Sequence, residues 1–156
     1  MSDSRSSLSG ARNAVKTLNR WIVCASPAYL ETRGVPQHPD DLVHHECFVM
    51  RYGLTTDRDW PFLIDGKERQ IAVQGHRIAN DGELVRAWCR NGFGITRKSR
   101  LDVNADLKAG ALVELLQEFS AGGTGLRIVY PATQAQPRRV RLLIEMIAEA
   151  LSSSGA

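Results

Sequence analysis

Four histidines, three cysteines and two short polar runs are the side chains in this sequence best suited to chemistry. His44 and His45 are adjacent, and adjacent side chains on a helix point about 100° apart, which makes them poor joint metal ligands. With His38 and His76 they read as solvated loop residues, and no metal site is expected. Cys24, Cys47 and Cys89 are widely spaced and form no Cys-x-x-Cys pair. That spacing argues against zinc or a disulfide framework and for small buried hydrophobes in a reducing compartment. A thiol nucleophile beside one of the histidines is the enzymatic option this composition leaves. The weight of the sequence is against it, so no catalytic residue is assigned.

Gly92-x-Gly94 lacks a third glycine and runs into a strand, so it is not a dinucleotide fingerprint, and no cofactor is implied. Arg97-Lys98-Ser99-Arg100 reads either as a solvated loop or as a meeting point for an anionic ligand. Asn80-Asp81-Gly82-Glu83 has the character of a helix start. Its free N–H groups either cap locally or face a polar ligand.

The elements that must position these residues follow from apolar periodicity and its punctuation. Trp21–Ala25 is an apolar run suited to a buried strand, stopped by Ser26-Pro27, a strong start for a helix to Arg33 that Gly34 ends. Pro39–Leu42 opens a short helix. Strands are expected at Glu46–Met50 and Trp60–Ile64, with Asp65-Gly66 as a primed hairpin turn into a return strand from Arg69 to Val73, continuing toward Ile78. A helix after Asn80-Asp81 places Leu84, Val85, Trp88 and Cys89 on one face. Gly94–Thr96 is a short strand, Ala105–Lys108 a helical turn, and Leu112–Leu116 and Leu126–Tyr130 further strands. Pro137 opens the clearest helix, with Val140, Leu143, Ile144, Ile147, Ala148 and Leu151 on one stripe. Residues 1 to 14 and the Ser152–Ala156 tail read as poorly ordered ends.

The whole is 156 residues with 43% apolar and 24% charged side chains, the profile of a folded soluble chain rather than a disordered one. It has no apolar run long enough to span a bilayer and no secretory leader, so a cytoplasmic protein without membrane attachment is expected. The net charge of +3 is too small, and its basic residues too scattered, to imply nucleic-acid binding.

The order of motifs resembles the effector-binding domain of LysR-type transcriptional regulators. The likeness runs through Ala25-Ser26-Pro27-Ala28-Tyr29-Leu30, Gly34-Val35-Pro36, Pro39-x-Asp41-Leu42 with His45 and Cys47, and Trp60-x-Phe62. It continues through Asn80-Asp81-Gly82-Glu83, Gly92-x-Gly94-Ile95, Arg97-Lys98-Ser99, Leu107-x-x-Gly110-x-Leu112-Val113, Tyr130-Pro131 and Pro137-x-x-Val140. The chain departs from many members at Ser99, where they carry proline.

The resemblance implies an α/β, periplasmic-binding-protein-like fold of two lobes around a small-molecule cleft. Residues 1–19 would be a partly disordered lead-in, 20–97 the second lobe, and 98–156 the crossover and the C-terminal part of the first lobe. The family's helix-turn-helix and half of the first lobe would lie before Met1. Operator DNA would then be bound only through that missing part. It also implies a homodimer and a small organic anion as effector. The effector-facing residues expected are Ser26, Pro27, Asn80, Asp81, Ile95, Thr96 and Arg97, with the carboxyl ends of Trp21–Ala25 and Gly94–Thr96 on one sheet edge. A stand-alone small-molecule or partner-binding protein built on the same lobe is the alternative.

Overall fold

The computed structural model describes residues 11–131 and 137–154. Its elements are β1 (Ala11–Ala25), α1 (Pro27–Arg33), β2 (Cys47–Tyr52), β3 (Thr55–Thr56), β4 (Asp59–Ile64), β5 (Lys67–Ala72) and β6 (Ile78–Ala79). Then come α2 (Gly82–Arg90), β7 (Ile95–Ser99), α3 (Arg100–Lys108), β8 (Val113–Leu115), β9 (Gly123–Pro131) and α4 (Arg138–Ser154). The chain divides into a compact unit from Arg20 to Gly123 and a second unit of residues up to 19 and from 124 onward.

The main sheet runs in the order β3-β2-β7-β1-β8, with β6 also on β2 and β9 on β1. Alternation along each strand divides the core of the Arg20–Gly123 unit into two layers. Val23, Ala25, Val49 and Ile95 face one side, where they pack with Tyr29 of α1 and with Trp60, Phe62, Ile64 and Ile71 of the separate β4–β5 hairpin. Ile22, Cys24, Phe48 and Met50 face the other, against Val85 and Cys89 of α2 and Val103 of α3.

Local signals explain the punctuation. The Ser26 Oγ accepts a hydrogen bond from the Tyr29 N–H at 3.3 Å, and Gly34 leaves α1 at φ +82°. Asp65 and Gly66 both have positive φ, as a primed two-residue hairpin turn requires. Asp81 caps α2 with an oxygen that accepts from the Glu83 and Leu84 N–H groups.

Several expectations change. β1 begins at Ala11, ten residues before Trp21 and within the stretch read as poorly ordered. The return strand spans Lys67–Ala72, and β6 is a separate short strand. The Arg97–Arg100 run is not a loop: it completes β7 and opens α3, burying Lys98 and Ser99. Leu84 is exposed on α2, so only Val85 and Cys89 of the expected face are buried. On α4, Val140, Ile144 and Ala148 are half-buried, whereas Leu143 and Ile147 are exposed, and the helix continues to Ser154. Residues 1–10 and 155–156 of the expected loose ends, and residues 132–136, lie outside the described residues. The boundary drawn at residue 97 also moves. α3 follows β7 directly and β8 pairs with β1, so residues 98–123 stay in the same unit as 20–97.

Candidate ligand-binding site

Strands β2, β6 and β7 are mutually parallel, with Phe48 opposite Thr96 and Met50 opposite Ala79. Strand β1 is antiparallel to β7, pairing Trp21 with Ser99 and Cys24 with Thr96. The expected shared edge for the carboxyl ends of β1 and β7 is therefore overturned. The carboxyl ends of β2, β6 and β7 meet the incoming end of β1 instead. That edge is also where the chain enters this unit at Arg20 and where β8, running back toward it, leads to the exit at Gly123.

The edge is dense in charge. Arg97 is 17% exposed. Its Nη1 donates to Asp57 at 3.2 Å, and its guanidinium lies 5.0 Å from the centre of the Trp21 ring. Glu114 is buried between Arg20, at 2.8 Å, and Arg100. Lys98 crosses to the helical side, its Nζ 3.3 Å from both the Gly82 carbonyl and Asp102. A Cβ on Gly82 would sit 2.8 Å from that Nζ, the movable end of a long side chain. Four cations, Arg20, Arg97, Lys98 and Arg100, thus meet three carboxylates, Asp57, Asp102 and Glu114. Tyr52, at the end of β2, has its phenol pushed above its ordinary pKa by burial and by the Asp57 charge.

Of the seven expected site residues, the register brings Asn80, Asp81 and Arg97 to this edge. Asp81 already occupies the start of α2 with its own carboxylate, so that helix end does not invite an anion. Ile95 and Thr96 are completely buried within the sheet. The Thr96 Oγ1 has no hydrogen-bond partner. Ser26 and Pro27 lie at the opposite end: five residues of strand separate Ser26 from Trp21, about 17 Å. There they line a surface concavity of about 610 Å³ with Arg90 and Asn91. The antiparallel course of β1 removes them from the edge that holds Arg97. Nothing near them in sequence marks Asp57 or Glu114 as partners of these arginines, since strand register alone brings them together.

The enzymatic option finds no support in the thiols. Cys24, Cys47 and Cys89 are free and fully buried, and burial pushes the Cys47 thiol up to about 12. Among the described residues no cluster of histidine, cysteine and carboxylate groups could hold a metal ion. No described helix is long and apolar enough to cross a membrane.

Residues 17–152 match the family model described as the LysR substrate binding domain. The transcriptional activator TtdR of Escherichia coli (strain K12) is 32% identical over 132 residues, which is 85% of this chain and 42% of the relative. The regulator DmlR of the same organism is 34% identical over 134 residues, 83% of this chain and 42% of the relative. The chain thus spans about two-fifths of the length of these curated relatives. Among solved structures, the regulatory domain of CrgA, a LysR-type transcriptional regulator from Neisseria meningitidis, superposes with a TM-score of 0.80 at 30% identity, covering 94% of this chain and 72% of that one. The effector domain of AmpR from Pseudomonas aeruginosa shares the fold alone, with a TM-score of 0.67 at 12% identity.

Proposed function

We propose that this chain, which belongs to the LysR substrate-binding domain family, binds a small organic anion at the edge where β2, β6 and β7 end. The matched region is the effector-binding domain of LysR-type transcriptional regulators, and its periplasmic-binding-protein-like α/β fold agrees with that family. Arg97 carries the anionic reading, a largely buried guanidinium at the strand ends, 3.2 Å from Asp57 and 5.0 Å from the centre of the Trp21 ring. It is the principal contact, because its guanidinium sits over the Trp21 ring and Asp57 takes the hydrogen bond of Nη1. Asn80 adds a polar side chain at the end of β6, on the far side of β2 from Arg97, and Asp81 holds the α2 turn that follows it. Arg20 and Arg100 neutralise Glu114.

In a longer regulator, ligand at this edge would bias the two connections to the other unit and so reach an operator-binding part. The stand-alone binding protein, the alternative reading, shares the edge and differs in lacking that output. A homodimer belongs to the same proposal. The exposed Leu142, Leu143 and Met146 of α4 support it, as do Ile78 and Leu84 near the start of α2 and Phe93 just past its end. Calorimetric titration of small mono- and dicarboxylates tests the ligand reading. Saturable binding that Arg97→Met weakens about 10–100-fold, the worth of a charge-assisted hydrogen bond, is expected. Equal binding by the wild type and Arg97→Met would overturn it.

A further inference from the structure

Beside Arg97 lies a second feature that the ligand edge does not by itself require. The Ser120 Oγ is shielded from solvent and has no hydrogen-bond partner among the described residues. It lines a small cavity of about 20 Å³ together with Trp21, Arg97, Pro61, Glu114 and Gln117. A polar cavity needs roughly 10–15 Å³ to hold one water-sized atom, so this one admits a single oxygen and not a molecule. A buried hydroxyl left unpaired is unfavourable, which makes an occupant of matching polarity favourable.

The walls are built rather than incidental. Ser120 is held by its bridge to Phe62 of β4 and by its N–H on the Gln117 carbonyl at 3.2 Å. Leu116 turns the chain into this segment at φ +53°, a left-handed conformation that side chains other than glycine, asparagine and aspartate seldom adopt. Arg97 faces the same space, its guanidinium 5.0 Å from the centre of the Trp21 ring. Glu114 borders it too, but its carboxylate projects to the other face of the sheet, the face of Cys24, where Arg20 and Arg100 hold it.

We propose that the Ser120–Arg97 cavity is the subsite that receives one carboxylate oxygen of the bound small molecule, with the rest of that molecule outside on the strand edge. This rests on the reading of that edge as the ligand site. The Ser120 hydroxyl donates to the oxygen and Arg97 donates from the side, so Ser120 is a specificity-determining residue for carboxylates over neutral analogues.

The test titrates acetate, with acetamide as the neutral control, into uniformly ¹⁵N-labelled chain and follows amide and arginine Nε resonances. Acetate should saturate and shift Ser120, Gln117 and the Arg97 Nε, and acetamide should not. Ser120→Ala should weaken acetate about tenfold, and Ser120→Val, which fills the cavity, should abolish binding. Loss of spectral dispersion in the valine variant leaves the alanine variant, which only deletes an unpaired hydroxyl, to decide. Acetate shifts at Asn80 and Arg97 that are unchanged in both variants would overturn the subsite and keep the edge. Shifts nowhere on this edge would overturn both.

Discussion

Replacing Gly94 with alanine probes the joint on which the candidate site depends. A Cβ at this position would lie 2.4 Å from the Glu46 carbonyl oxygen and 3.0 Å from Cζ of Phe48. The oxygen cannot step aside freely, because it accepts the Ile95 N–H at 2.8 Å and precedes the Cys47–Ile95 pair that joins β2 to β7. Relief requires β7 to move off β2 by a large fraction of an ångström, which weakens that hydrogen bond and disturbs buried Phe48. Overpacking costs about 1–3 kcal/mol and a weakened backbone bond about 1 more, so a loss of about 2–4 kcal/mol is expected. Gly92 is the internal control. It has φ +79° but its nearest neighbour, the Ser26 Oγ, would be 3.5 Å away, so alanine there pays for conformation alone, about 1–2 kcal/mol. The three tryptophans, at 21, 60 and 88, all lie in the Arg20–Gly123 unit, so urea unfolding followed by their fluorescence reports this unit. With a denaturant slope of about 1–3 kcal/mol/M, Gly94→Ala should lower the midpoint by about 1–2 M and Gly92→Ala by less. A Gly94→Ala midpoint equal to or above that of Gly92→Ala would refute the steric account of this joint.

Arg97→Met should lower stability by about 1–2 kcal/mol in the same urea assay, since it removes a partly buried ion pair and a stack on Trp21; an unchanged midpoint contradicts that packing. The native thiols should be nearly inert to a disulfide reagent at pH 8. Moving Cys47 from 9.0 to about 12 leaves about a thousandth of the ordinary thiolate, and Cys89 is also raised, by its hydrogen bond to Cys24 and by burial. Three thiols should react in urea, and any fast native thiol would count against this packing. Acid should destabilise the unit. Burial alone would raise Glu46, but its hydrogen bonds from the His76 ring and backbone hold it below 4.5, and the His38 and Gln37 N–H groups hold Asp41 below 3.8. Both depressed carboxylates contribute stability above those unfolded values that is lost as pH falls through the lower folded ones, so Glu46→Gln should flatten part of the decline between pH 5 and pH 3. An identical pH profile for Glu46→Gln contradicts this. Light scattering at micromolar concentration should give twice the 17.3 kDa chain mass, and a clean monomer mass would remove the dimer.

Much of the scaffold was legible because its signals are local. Ser26-Pro27, Gly34, Asp65-Gly66 and Asp81 each satisfy or terminate the backbone within a few residues, and the structure uses each in that way. The ordered motifs carried the family for the same reason, since a glycine such as Gly94 sits where a Cβ would collide with backbone. Strand direction was not legible. Trp21–Ala25 reads the same whether parallel or antiparallel to β7, and the wrong choice joined Ser26 to a site about 17 Å away by strand rise. Thr96 was misjudged through alternation: placed opposite Cys24, it shares the face that packs under α2 and is sealed from solvent. Arg97, one residue on, points to the other face and reaches Trp21 and Asp57. Leu84 shows the limit of helical periodicity, which marks an apolar side chain without saying whether a neighbour covers it.

The account turns on which end of the sheet holds the ligand, and one measurement separates the two ends. A panel of small organic acids titrated into ¹⁵N-labelled chain should produce saturable shifts that map to Asn80, Arg97, Ser99 and Ser120, where β2, β6 and β7 end. Saturable shifts mapping instead to Ser26, Arg90 and Asn91 at the opposite end, or no saturable shift for any acid in the panel, would contradict it.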